Sequence, residues 1–239
     1  MVLRRLAPVA VSFLVACGGS NKPVQPAAPH GPGHGPGHGH GGHAHGGPVH
    51  HRFDEPEKWA KVFDDPARDA WQKPAHVITL MKIDAGATVA DIGTGTGYFL
   101  PLLSLAAGTK GKVLALDVEP EMIRYVKERA EKEKLGNVEA RVIAPDDPGL
   151  GEATVDRALI VDTWHHIEAR KAYSVKLAKG LKPGGMVFVI DFTMESSHGP
   201  PKEHRVAKET VVEELGAGGL TASVVKSELP DQYVVVGKK

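Results

Sequence analysis

The stretch Val89-Ala90-Asp91-Ile92-Gly93-Thr94-Gly95-Thr96-Gly97-Tyr98 decides how this chain is read. The β-rich run Thr88 to Ile92 ends in a glycine cluster, the pattern of a strand feeding a loop. Glycine has no Cβ, so three of them at alternate positions let the backbone turn sharply and approach a ligand closely. Tyr98 to Ala107 then reads as the helix that this loop opens.

The spacing narrows the ligand. A dinucleotide fingerprint wants glycine at the first, third and sixth positions, here Gly93, Gly95 and Tyr98, and tyrosine fails it. A phosphate-binding P-loop would end in Gly-Lys-Ser/Thr, which is absent here. Asp91 stands directly before the loop, where a carboxylate repels a pyrophosphate but suits the cationic amino acid end of S-adenosylmethionine. Asp117 closes the next apolar run, about twenty residues beyond Gly97, where a carboxylate accepts hydrogen bonds from both ribose hydroxyls. S-adenosylmethionine is the cofactor these residues suit.

Outward from the loop, short β-rich runs alternate with longer helical stretches, the signature of an α/β domain with a mainly parallel sheet. Strands are expected at residues 88–92, 112–117, 138–143, 155–161 and 186–192. Helices are expected at 59–63, 74–81, 98–107, 120–135, 169–181 and 204–215. Two closing strands, 222–229 and 232–236, are close enough in sequence to pair as a hairpin. Lys182-Pro183-Gly184-Gly185 reads as the turn between the helix expected at 169–181 and the fifth strand.

Asp91 to Gly97, Asp117 and Leu181-Lys182-Pro183-Gly184-Gly185 resemble the first, second and late motifs of class I S-adenosylmethionine-dependent methyltransferases, over roughly residues 77–236. The resemblance implies a Rossmann-like, mainly parallel seven-stranded sheet with a C-terminal antiparallel hairpin and helices on both faces. It implies a cofactor site of Asp91, Gly93, Gly95, Gly97, Tyr98, Asp117 and Met122. In that family the loop after the third strand supplies an acid to the adenine amino group, here Asp146 or Asp147. Val161-Asp162-Thr163-Trp164-His165-His166-Ile167 is similar to the Asn-x-x-His-His segment of many small-molecule methyltransferases. Asp162 would then face the cofactor's methionine end or the acceptor, and His165 or His166 would take a proton from it, imidazole being suited to this near neutral pH. Residues 65–74 are similar to a segment that lies over the cofactor cleft in a bacterial subgroup, which makes Arg68, Trp71 and Gln72 lid residues. The plainer alternative is an amphipathic helix with Trp71 in the core. His198-Gly199-Pro200-Pro201 either borders the acceptor pocket or forms a rigid surface loop.

Charge and composition set the remaining bounds. The 239 residues carry 29 acidic and 29 basic side chains and 41 % hydrophobic residues, so nothing calls for nucleic acid, and a small-molecule acceptor is expected. The single cysteine, Cys17, rules out a thiolate metal cluster or an internal disulfide. It follows a basic start and a short apolar run, too short to span a bilayer. Residues 1–17 therefore read as a lipoprotein-type signal peptide with Cys17 as the lipidation site, placing the protein on a membrane facing the periplasm or exterior. A cytoplasmic location follows instead if the start codon is misassigned.

Residues 18–51 are rich in Gly, Pro and His, and are expected to be a disordered tether whose His34, His38, His40, His43 and His45 bind metal loosely. The methyltransferase domain is expected at 52–239, with no metal site of its own. Because S-adenosylmethionine is made in the cytoplasm, export raises an alternative. That alternative is a non-catalytic envelope lipoprotein that keeps the fold and binds metal through its His-rich arm.

Overall fold

The computed structural model describes residues 55–239. The expected signal peptide, Cys17 and the His-rich stretch lie outside the described residues. The chain runs α1 (Pro56–Phe63), a 3-10 turn, α2 (Asp69–Gln72), α3 (Pro74–Met81), β1 (Thr88–Ile92), α4 (Leu100–Ala107), β2 (Lys112–Asp117), α5 (Pro120–Lys132) and β3 (Val138–Val142). It continues with β4 (Val155–Val161), a 3-10 turn, α6 (Arg170–Gly180), β5 (Leu181–Phe192), a 3-10 turn, α7 (Lys208–Ala217), β6 (Thr221–Val225) and β7 (Gln232–Lys238).

The seven strands form one sheet in the order β3-β2-β1-β4-β5-β7-β6. The neighbouring pairs from β3 to β5 are parallel, while β7 runs antiparallel to both β5 and β6. Alternate strand residues point to opposite faces, and each face is covered by helices. Val89, Val113, Leu159 and Ile190 pack with Val77, Met81, Leu100, Leu103 and Val126 of α3, α4 and α5. Ala90, Leu114, Ile160 and Val189 pack with Tyr173, Leu177, Val211 and Leu215 of α6 and α7. The strand order reverses between β1 and β4, and in open parallel sheets ligands bind in the crevice beyond the carboxyl ends of the strands at such a point.

Several boundaries differ from the sequence expectation. Helix α4 starts at Leu100 rather than Tyr98, because Gly97 is still in the left-handed region at φ +83° and Pro101 suits a first helical turn. Lys182 to Gly185 belongs to β5 instead of a free turn. Leu181 already pairs with Val155, and the register shifts between Val155 and Arg157 to absorb the glycines. Helix α7 begins at Lys208, not His204. The Arg205 guanidinium donates to the carbonyls of Thr193, Ser196, His198 and Pro200 at 2.9 Å each, which fixes residues 193–205 as a tied loop. Strand β6 stops at Val225, and Leu229 buries itself as a plug before β7.

Candidate active site

The glycine loop turns where the sequence demands it. Gly93, Gly95 and Gly97 have φ +73°, +54° and +83°, a region other residues rarely enter. The amides of Gly93 and Thr94 both donate to the Leu116 carbonyl, at 2.8 and 3.1 Å, tying the loop to the end of β2. Asp117 stands at that end, with one carboxylate oxygen accepting from Gly95 N at 2.8 Å and the other from Glu119 N at 3.0 Å. Burial pushes its carboxyl above the usual range, opposed by these backbone donors. Met122 is buried in the first turn of α5 behind it.

Acids recur at the carboxyl ends of the central strands: Asp91 in β1, Asp117 in β2, Asp162 just after β4 and Asp191 in β5. Asp91 is buried and accepts a 2.8 Å hydrogen bond from Thr94 Oγ1. Burial pushes its pKa up to about 7; the Thr94 bond opposes this, the charge of Asp117 adds to it, and Arg68 opposes it. Asp162, with φ +52°, is likewise pushed to about 7, by burial first and with Arg68 as the main opposing charge.

The segment after α1 crosses these acids, and it carries Arg68, Trp71 and Gln72, the residues expected to cover the cleft. Arg68 Nη2 reaches Asp162 at 3.3 Å and Gln72 Oε1 at 2.9 Å. Gln72 Nε2 donates to Gln232 at 2.6 Å, and Gln232 Nε2 donates to Asp162 at 2.5 Å, closing a ring of four side chains. The guanidinium also lies 4.3 Å from the Tyr98 ring centre, a cation–π contact. Tyr98 hydrogen-bonds Asp69, and Asp64 joins Thr96 and Arg129, so the segment is fastened to the end of the glycine loop. Trp71 is not a core residue: it stacks on His198 at 4.9 Å and leans on Phe192 at 6.0 Å. The 198–201 loop thus meets this segment, with His198 also paired to Asp231 at 3.2 Å.

The two histidines separate. His165 is almost wholly buried, its Nδ1 lying 2.9 and 3.0 Å from the two oxygens of Asp191. His166 is exposed, with its ring 4.2 Å from that of His165. Asp146 is exposed and paired with Lys176 at 3.1 Å, while Asp147 accepts from Gly149 N at 2.8 Å, capping its own loop. Both adenine candidates are engaged within that loop or with α6, and the geometry does not choose between them.

Asp191, Glu214 and Gln232 were not identifiable as site residues from local motifs. An acid ending the apolar run Met186 to Ile190 is nonetheless the same signal that marks Asp91 and Asp117.

A mostly parallel sheet with a glycine loop and a strand-end acid on each side of its switch point defines a nucleotide-type cofactor enzyme. The donor set tests which cofactor fits. Two buried carboxylates, Asp91 and Asp117, with the partly exposed Asp162 and one arginine match a ligand bearing an ammonium, a carboxylate and ribose hydroxyls, whereas a pyrophosphate would meet repulsion.

A methyltransferase domain family matches residues 89–185. The solved structure of an S-adenosylmethionine-dependent methyltransferase from Aquifex aeolicus is 32 % identical, covering 77 % of this chain and 98 % of that one, with a TM-score of 0.71. Erythromycin 3''-O-methyltransferase of Saccharopolyspora erythraea is 26 % identical, over 61 % of this chain and 54 % of its own length. The ubiquinone/menaquinone biosynthesis C-methyltransferase UbiE of Hydrogenovibrio crunogenus is 26 % identical, over 52 % and 48 %. The chain spans about half the length of these curated relatives. It belongs to the S-adenosylmethionine-dependent methyltransferase family, has the class I fold, and takes S-adenosylmethionine as its cofactor.

Proposed function

We propose that the protein transfers a methyl group from S-adenosylmethionine to a small-molecule acceptor held beyond the ends of β1, β4 and β5. The observation that carries this reading is the contact of Asp117 with Gly95 N, which puts a buried acceptor of ribose hydroxyls against the glycine loop. When bound, the cofactor supplies a methyl group activated on a sulfonium. Asp117 would hold the ribose, Asp91 and Asp162 the ammonium, and Arg68 the carboxylate. The lid then excludes water and fixes alignment, the main contributions a protein makes to such a displacement. A non-catalytic envelope protein, the alternative expectation, draws no support from the relatives.

The test is calorimetric titration of the full chain with S-adenosylmethionine, S-adenosylhomocysteine and NAD. Micromolar binding of the first two and none of NAD is expected. Asp117→Ala should weaken both by about ten- to hundredfold, the loss of a charge-assisted hydrogen-bond pair, with the melting transition retained. Unchanged affinity would overturn the assignment.

The N-terminal sequence supports a further reading, a lipoprotein anchored through Cys17. Cys17→Ser should move the protein from the membrane to the soluble fraction of the exporting cell, and retention at the membrane would refute the anchor.

A further inference from the structure

We propose that Gln72 and Gln232 are positioning residues for cofactor capture, relaying the fixed donors of Arg68 to the far oxygen of Asp162 and so biasing that carboxylate toward the anion that pairs with a cation. This rests on the methyltransferase reading above, in which Asp162 helps to hold the ammonium.

The direction of the relay follows from donor chemistry. A guanidinium only donates. Arg68 Nε and Nη2 both face one head atom of Gln72, at 3.3 and 2.9 Å, so that atom is the amide oxygen. The Gln72 nitrogen must then point at Gln232, at 2.6 Å, and the atom that receives it there must be oxygen. What remains for Asp162 Oδ1 is the Gln232 nitrogen, while Arg68 Nη2 faces Oδ2 at 3.3 Å. Each carboxylate oxygen therefore meets a donor, and neither partner offers an acceptor to an acid proton. Turning Gln72 over would set donor against donor at Arg68, and turning Gln232 over would do the same at Gln72.

The fold holds each part in place. Arg68 Nη1 donates to the Phe63 carbonyl at 3.0 Å, Gln232 opens β7 opposite Phe192, and the Asp162 amide donates to the Ile190 carbonyl at 2.9 Å. Gln72 and Gln232 are 0 % and 2 % exposed, a place where an apolar pair would serve as well if only packing were needed. Asp162 keeps 21 % of its side chain exposed, which leaves an approach for a ligand's cation. The charged and titratable groups acting on it are Arg68 from the turn before α2, Asp191 at the end of β5 and His165 after β4. Burial and Asp191 oppose the anion, whereas Arg68, His165 and the Gln232 hydrogen bond favour it.

The experiment titrates the full chain with S-adenosylhomocysteine by calorimetry from about pH 5.5 to about pH 8.5. Gln72→Glu keeps the size of the side chain and its contact with Arg68 but removes the donor, so Gln232 turns its oxygen toward Asp162. Affinity should fall about tenfold below pH 7 and return to within about twofold of the parent at about pH 8.5, the mark of an acid whose ionisation has moved up by about one unit. Gln232→Leu removes the donor to Asp162 outright and should act in the same direction. In an Asp162→Asn background, Gln72→Glu should have no pH-dependent effect of its own. A tie that merely fastened the segment predicts otherwise. The added carboxylate at Arg68 would strengthen it and leave affinity unchanged, and breaking it would lower affinity equally at every pH; either result overturns the proposal. If one variant does not fold the other decides, and loss of folding in both overturns the proposal by making the amides structural. Absence of binding by the parent at every pH would instead remove the methyltransferase reading, and this proposal with it.

Discussion

Replacing Gly93 with alanine is expected to destabilise the domain by about 2–5 kcal/mol and to remove measurable cofactor binding. Two effects combine. At φ +73° an alanine pays the left-handed penalty of about 1–2 kcal/mol. Its Cβ would also lie 2.2 Å from Thr163 Oγ1 and 2.5 Å from Thr163 Cγ2. Overpacking of this kind typically costs about 1–3 kcal/mol. Thr163 cannot easily swing aside, because its hydroxyl donates to the Val161 carbonyl at 2.9 Å.

Gly95→Ala provides the contrast. At φ +54° its Cβ would meet nothing nearer than Phe63 at the end of α1 at 3.6 Å, so about 1 kcal/mol is expected. Adding Thr163→Gly to Gly93→Ala should relieve the collision but not the backbone penalty, recovering roughly half of the loss. Denaturant midpoints of the four chains measure this. Equal losses at Gly93 and Gly95 would show that the loop does not pack against the β4 exit.

What could be read from the sequence follows from range. The strand-loop-helix-strand stretch at 88–117 is local, so alternation and glycine spacing sufficed to set Asp91, the three glycines and Asp117 at the strand ends. Arg68, Trp71 and Gln72, which join or adjoin the side-chain ring at Asp162, stood out as an unusual density of polar and aromatic groups. Their partner Gln232 did not, because it meets Gln72 across 160 positions and nothing near Gln232 distinguishes it from the start of an ordinary strand. Asp191 depends on β5 lying next to β4, a pairing no local pattern encodes. Lys182 to Gly185 misled for the opposite reason: its local turn chemistry is strong, but pairing of Leu181 with Val155 overrides it. Arg205 delayed the start of α7 through contacts to carbonyls up to 12 residues away.

Stability of the cofactor-free protein should fall as pH rises from about 4 to 7, a trend that surface ion pairs do not give. Asp91 and Asp162 both have carboxyl pKa values pushed from 3.8 to about 7, chiefly by burial. Between those values the folded protein holds protons that the unfolded chain has released, so each group lowers stability with rising pH by up to about 1.4 kcal/mol per unit. The exposed or partly exposed acids whose pKa values are lowered by partners, among them Glu139, Asp146 and Asp156, act only below their unfolded values and leave this window flat.

On the proposed function, the ammonium of the cofactor pairs with the ionised forms. Its affinity should therefore drop below pH 7, by about tenfold per unit for each carboxylate that must ionise. Saturating S-adenosylhomocysteine, which keeps the ammonium, should flatten the stability profile, because occupancy supplies the charge that makes two buried anions tolerable. Asp162→Asn isolates one of the two groups: it should remove about half of the slope in the free protein while keeping the Gln232 contact. A melting temperature that stays flat between pH 4 and 7 would mean that Arg68 already holds both acids ionised, and that the site is charged before its ligand arrives.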